Sequence, residues 1–177
     1  DYYKNPACHF ASEIGYHGCN AAESLKKFIS PDSILQMGTS AEGCRNGEWL
    51  LHATCMETTS SAEGNIFAYR IPLMISQVER IFTEKKENLS EFSMQSQISQ
   101  AEADKYFIER FRMEKWRKTG IIWWNVRDGW PIISDAVVDY YGSKKLAYYF
   151  LQNVQKNVCL LINDPVDGAY PLVAVND

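Results

Sequence analysis

The sequence predicts an α/β fold in which helices alternate with short strands of a parallel sheet, and three observations predict it. The apolar stretch "ACHFASEI" breaks at Gly15 and carries no helix caps. A second run, "IIWWNV", follows Gly120 and is rich in β-branched and aromatic residues, the pattern of a strand covered on both faces. Between and after these runs, apolar residues recur at helical spacing. Strand, helices, strand and helix then follow one another as in a βα repeat.

In order along the chain, the first strand is expected from about Cys8 to Ile14, buried, with Gly15 and Gly18 ending it. In "NAAESLKKFI", Ala21, Leu25 and Phe28 or Ile29 share one face of a short helix. Asn20 stands at its N-cap with Glu23 at the capping-box position, and Pro31 ends it. Residues 36–64 read as irregular, punctuated by Gly38, Gly43, Gly47 and Gly64, with a helical turn or two in "NGEWLLHATCM". A loop of that length in a compact domain is usually functional. A helix is expected over 65–84, with some irregularity before Pro72, a residue that suits the first turn of a helix, where its missing donor costs nothing.

The clearest helix spans about 90–116, where Phe92, Ile98, Ala101, Phe107, Ile108, Phe111 and Trp116 approximate an apolar stripe. Gly120 opens the second strand, "RDGWP" turns, and "SKKLAYYFLQNVQ" is helical again. The tail changes character: "NVCLLIND" and "YPLVAVND" flank the turn "PVDG" with no helix between them, which predicts a hairpin. The boundary falls near Gln155, giving residues 1–155 to the α/β part and 156–177 to the opening of a separate β-domain.

Composition removes several function classes. Net charge is -4 and no basic run stands out, so nucleic acid is not an expected partner. No stretch of about 18 apolar residues is available to span a membrane. The 5 cysteines are an odd number without a CxxC, which favours a reducing, cytoplasmic setting. Cys19, Cys44, His52 and Cys55 match no common zinc spacing, and no metal is expected. Aromatic residues make up 13%, which suits both a packed core and flat binding surfaces.

In a parallel α/β sheet or barrel, functional residues collect at the C-terminal ends of strands. Glu13 holds that place on the first strand. Trp124 and Asn125 hold it on the second, with Asp128 and Trp130 in the loop that follows. An acid, an amide and indole rings together suit a sugar, whose apolar ring faces stack on indoles and whose hydroxyls bind carboxylates and amides. Glycoside cleavage needs charge stabilisation at an oxocarbenium-like centre, and a carboxylate fixed on a strand can attack that carbon. An ion-paired strand-end acid is the equally weighted structural role for Glu13. By strand alternation His9 shares a face with Ala11 and Glu13, while His17 lies on the loop within reach of a sugar hydroxyl. Glu42, Glu48, Glu57 and Glu63 are not expected to serve as a second catalytic acid. Asp128, Asp135 and Asp139 are expected to brace the loop through hydrogen bonds to backbone donors.

Taken together, "FASEIGYHG" and "GIIWWNVRDGWPIISDAVVDYYGSKKLAYYF" resemble glycoside hydrolase family 2, in its β-mannosidase, β-galactosidase and β-glucuronidase branches. The resemblance covers roughly residues 5–155, and "DGWP" leans toward the β-mannosidase-like branch. It implies the C-terminal portion of a (β/α)8 TIM barrel, strands seven and eight with their helices, leading into the start of a β-sandwich. It assigns Glu13 as the nucleophile of a retaining exo-β-glycosidase. Gly120, Ile122, Trp124, Asn125, Asp128, Trp130 and Pro131 match the family's eighth-strand block. Trp124 would form the floor of the sugar site, and Asn125 or Asp128 would place hydroxyls or neighbouring side chains. No cofactor is implied.

The family's acid/base lies in an Asn-Glu pair, and this sequence contains none. The earlier strands and that acid are therefore expected to lie in a missing N-terminal part of the same protein, and this chain alone is expected to be inactive. The expected partners are that barrel part, a terminal β-glycoside and a second copy of the protein. The rival reading is a non-catalytic carbohydrate-binding or interaction module.

Overall fold

The computed structural model describes residues 3–36, 47–53, 69–83 and 88–177. Two strands form a parallel pair, β1 (Phe10–Ile14) and β2 (Gly120–Trp123), with Phe10 beside Gly120 and Ala11 beside Ile121. Among the described residues, five helices separate them: α1 (Ala22–Leu25), α2 (Pro31–Gln36), α3 (Gly47–Leu51), α4 (Arg70–Ile81) and α5 (Leu89–Met113). Helix α6 (Leu146–Val154) follows β2, and an antiparallel hairpin of β3 (Val158–Ile162) and β4 (Leu172–Asn176) ends the chain. The hairpin turns through Asp167 and Gly168, both at positive φ, which explains a glycine there. No helix among the described residues is long and apolar enough to cross a membrane.

Helix α5 is the axle of this assembly. Near its start, Phe92 joins Leu25, Trp49, Met74, Ile75 and Val78 in one apolar cluster. Further along, Ala101 and Ile108 meet Ala147, Leu151 and Val154 of α6. Phe107 and Phe111 cover Ala11 and Ile14 of β1. Three neighbours on three sides explain why its apolar residues make only a ragged stripe, and why Ser93, Ser96, Gln97, Gln100 and Asp104 are buried along it. Asn88 caps it by accepting a hydrogen bond from the Glu91 amide at 3.1 Å.

Several local expectations are corrected. The first strand is shorter than expected, and only Ala11 and Ile14 of β1 are buried, because the pairing register shifts between them. Asn20 does not cap α1: its amide is drawn inward to the Ile132 carbonyl at 3.0 Å, and the residue before α1 is Ala21. Glu23 instead reaches Lys26 in solvent. Pro31 opens α2 rather than closing the preceding helix, as suits a residue lacking an N–H. Trp116 leaves the α5 stripe altogether; it lies beyond the helix at φ 80 and is 87% exposed. Pro72 does fall in the first turn of α4. The expected glycine-rich loop at 36–64 and the start of the 65–84 helix lie mostly outside the described residues, as do Glu42, Glu57, Glu63, Cys44 and Cys55.

Candidate active site

The site end of the molecule is where β1 and β2 both leave the sheet. Trp124 donates its backbone N–H to the Ile14 carbonyl at 2.9 Å, so the residue after Glu13 lies directly against the one that follows β2. Glu13 is exposed, and Trp124 is 43% exposed. Gly15 makes the close approach possible. A Cβ there would stand 2.2 Å from the Trp124 carbonyl oxygen and 2.9 Å from the Asp135 Cβ. The Trp124–Asn125 peptide is cis. The Asn125 carbonyl accepts from the Val137 amide, which anchors the loop after β2 to the segment leading into α6.

Beside these residues lies a cavity of about 280 Å³ lined by Arg70, Trp124, Asn125, Asp128, Trp130 and Asp135, among others. Glu13 stands outside it. Trp130 offers only part of its ring: one face stacks on His52, with centroids 5.4 Å apart, and His52 in turn packs on Phe28. Asp128 is buried and accepts from the Ser134 hydroxyl at 2.5 Å. Burial pushes its carboxyl above the ordinary value, against the opposing charge of Lys145 and the Ser134 hydrogen bond.

His9 falls outside the strand, and His17 lies on the loop as expected but is buried there. His9 precedes β1 and places Nδ1 2.8 Å from the Arg117 carbonyl, at the opposite end of the strand pair from Glu13. His17 is buried, with Nδ1 2.9 Å from Asp135 Oδ1. Burial alone would raise Asp135, but the hydrogen bond and charge of His17, with Arg70 and Lys145 behind them, hold its carboxyl below the ordinary value. His17 is thus a brace between the two strand-end loops rather than a side chain open to solvent.

Three residues that matter here carry no signal in the sequence pattern. Arg70 begins α4 and reaches the cavity. Lys145, adjacent to the exposed Lys144 and just before α6, is fully buried and donates to the Gly18 and Ser134 carbonyls at 2.7 and 2.9 Å. Asp104 is buried on α5 with no hydrogen-bond partner on either carboxyl oxygen among the described residues. Burial, reinforced by the charge of Asp135, pushes Asp104 well above the ordinary carboxyl value. The described residues contain no group of three or more side chains arranged to hold a metal.

No family model matches the chain. It is 24% identical to the β-mannosidase A of Aspergillus terreus over 169 residues, which is 89% of this chain and 17% of the relative. The β-mannosidase A of Aspergillus fumigatus is 23% identical over the same length. Among solved structures, the β-D-mannosidase of Dictyoglomus thermophilum superposes with a TM-score of 0.76 and 27% identity, covering 99% of this chain and 19% of that one. The exo-chitosanase CsxA of Amycolatopsis orientalis matches with a TM-score of 0.62 at 18% identity, covering 92% of this chain and 20% of that one, a likeness of fold. The chain spans about a fifth or less of the length of each of these proteins. Two blocks at the ends of β1 and β2, and a fold shared with a longer β-mannosidase over nearly all of its residues, make the chain similar to a portion of the β-mannosidases of glycoside hydrolase family 2.

Proposed function

We propose that residues 1–155 are the last two strands and helices of the catalytic (β/α)8 barrel of a retaining exo-β-glycosidase, and that residues 156–177 open the β-domain after it. The observation that carries this reading is the Trp124 amide bonded to the Ile14 carbonyl, which brings the backbone one residue after the exposed Glu13 against the residue that bears an exposed indole, at the C-terminal end of a parallel pair. A β-mannoside is the first substrate to test, because curated relatives and one of the solved structures it resembles are named β-mannosidases; a β-galactoside is the second.

In the intact enzyme Glu13 attacks the anomeric carbon, and the leaving oxygen departs with a proton from an acid contributed by another part of the barrel. The same acid, now a base, activates water to release the sugar with retained configuration. Trp124 supports the ring, and Asn125, Asp128 and Trp130 fix neighbouring groups. His17 acts through Asp135 on the loop that carries them. The outward face of the hairpin, with Val158, Leu160, Ile162 and Leu172 exposed, supports a second sheet packed on it in the intact protein.

The test is a 2-deoxy-2-fluoro mannoside offered to the intact protein. Labelling of Glu13, lost in Glu13→Gln together with turnover, is the expected result. Labelling of another carboxylate overturns the assignment, and sugar binding without labelling or turnover supports a non-catalytic carbohydrate-binding module. The chain alone, which lacks an Asn-Glu pair, is expected to show no turnover of aryl glycosides. Turnover that Glu13→Gln abolishes would refute that expectation.

A further inference from the structure

We infer that Lys145 is a positioning residue that sets the nucleophile strand against the sugar-supporting loop; this rests on the reading of Glu13 and Trp124 given above. The placement of its donors carries the inference. A buried ammonium usually bonds the carboxylates around it. Lys145 has Asp128, Asp135 and Asp139 in its surroundings, yet the hydrogen bonds from Nζ go to two backbone carbonyls. One is Gly18, five residues after Glu13 on the loop leaving β1. The other is Ser134, on the loop that leaves β2 after Trp124. The carboxylates offset the charge, and the carbonyls receive the geometry.

The strap does not act alone, but its place is distinct. Gly18 also donates its amide to the Ser134 carbonyl at 3.2 Å, so Lys145 closes a three-way junction on that oxygen. Its own backbone N–H bonds the Val137 carbonyl at 2.9 Å, tying the start of α6 to the same loop. Gln100 fixes the Asp135 carbonyl from α5, and a Cβ on Gly18 would collide with the Gln100 amide. The junction therefore has no slack on the α5 side, and removing the ammonium frees both loops to shift together or apart. Reacting groups misplaced by about 1 Å lose about 10²-fold in rate.

At the other end of the pair, Lys118 is a matched control. It is also buried and donates to backbone carbonyls, those of Pro6 and Cys8, but it touches neither strand-end loop.

The experiment compares Lys145→Met, Lys145→Gln and Lys118→Met in the intact protein. The measurements are kcat and KM on an aryl β-mannoside, the rate of Glu13 labelling by the 2-fluoro mannoside, and amide exchange over residues 15–20 and 124–139. The expected result is that folded Lys145→Met loses about 10–100-fold in kcat and in labelling rate, with KM moving less. Exchange rises in both loops, Lys145→Gln recovers part of the rate through its remaining donor, and Lys118→Met keeps its kcat. Wild-type labelling and exchange in Lys145→Met overturn the inference. Failure of both Lys145 variants to fold also overturns it, since the role is then in folding. If Glu13→Gln keeps turnover while Lys145→Met still loosens both loops, the reading of Glu13 fails and the strap stands.

Discussion

The parallel pair β1–β2 is held by a buried lysine at each end, and the two lysines keep different company. Lys118, at the start of the pair, meets the carbonyls of Pro6 and Cys8 and the face of Phe111, 5.2 Å from its ring centroid. Lys145, where the strands exit, lies among Asp128, Asp135 and Asp139, in the same polar interior as His17 and Asp104. Dipoles and a ring suffice where the end only has to be closed. Full charges are gathered where two loops meet, an arrangement of little net worth to stability but costly to break by removing one partner.

Substitutions at the two ends sharpen this contrast, from the largest expected effect downward. Lys145→Met leaves three carboxylates without their buried cation and is expected to cost about 3–5 kcal/mol. Lys118→Met leaves two carbonyls short of a donor and is expected to cost about 1–3 kcal/mol. Urea unfolding of the two variants measures the gap, and equal midpoints would erase the distinction.

Glycines repeat the contrast at smaller scale. Gly15→Ala drives a methyl into the Trp124 carbonyl, a backbone atom that cannot step aside, and is expected to cost about 1–3 kcal/mol. Gly120→Ala meets the Phe10 ring edge at 2.8 Å, but that ring is 48% exposed and can swing away, so the change is expected to stay within about 0.5 kcal/mol.

Proton binding is expected to differ between members of the cluster itself. Asp135 is held below the ordinary value, so the stability it contributes is complete above pH 3.8 and is lost as pH falls through its lower folded value. Asp104 is pushed the other way. Its folded state keeps a proton that the unfolded chain gives up, so stability declines as pH rises above 3.8 until the raised folded value is passed. Asp104→Asn should flatten that decline, and Asp135→Asn should remove part of the acid-side loss. Denaturant midpoints across pH measure both, and parallel pH curves for the two variants would contradict this division. The smallest effect belongs to Glu23→Gln on the solvent-exposed pair with Lys26, which is expected to leave the midpoint where it is.

The parts legible in the sequence were those with a repeating period or a turn residue. The parallel pair, α5, α6 and the tail hairpin announce themselves through apolar spacing and through "PVDG". Tertiary demands overrode the local signals. Asn20 looked like a helix cap because it precedes "AAE", but a buried carbonyl at Ile132 claimed its amide. The location of Glu13 and Trp124 at the strand ends could be read from the apolar runs that precede them. Lys145 could not, because "KK" shows two identical side chains and only packing decides which one is buried. Asp104 was hidden in the same way, inside a helix whose pattern reads as ordinary.

The hairpin has one further consequence. Leu161 and Val175 turn inward, which leaves Val158, Leu160, Ile162 and Leu172 as a greasy ladder on the opposite side. Strands of this make-up adhere to one another when nothing screens them. The solubility of the isolated polypeptide is therefore expected to be limited by aggregation through this patch, and a lysine in place of Leu160 is the simplest gatekeeper against it.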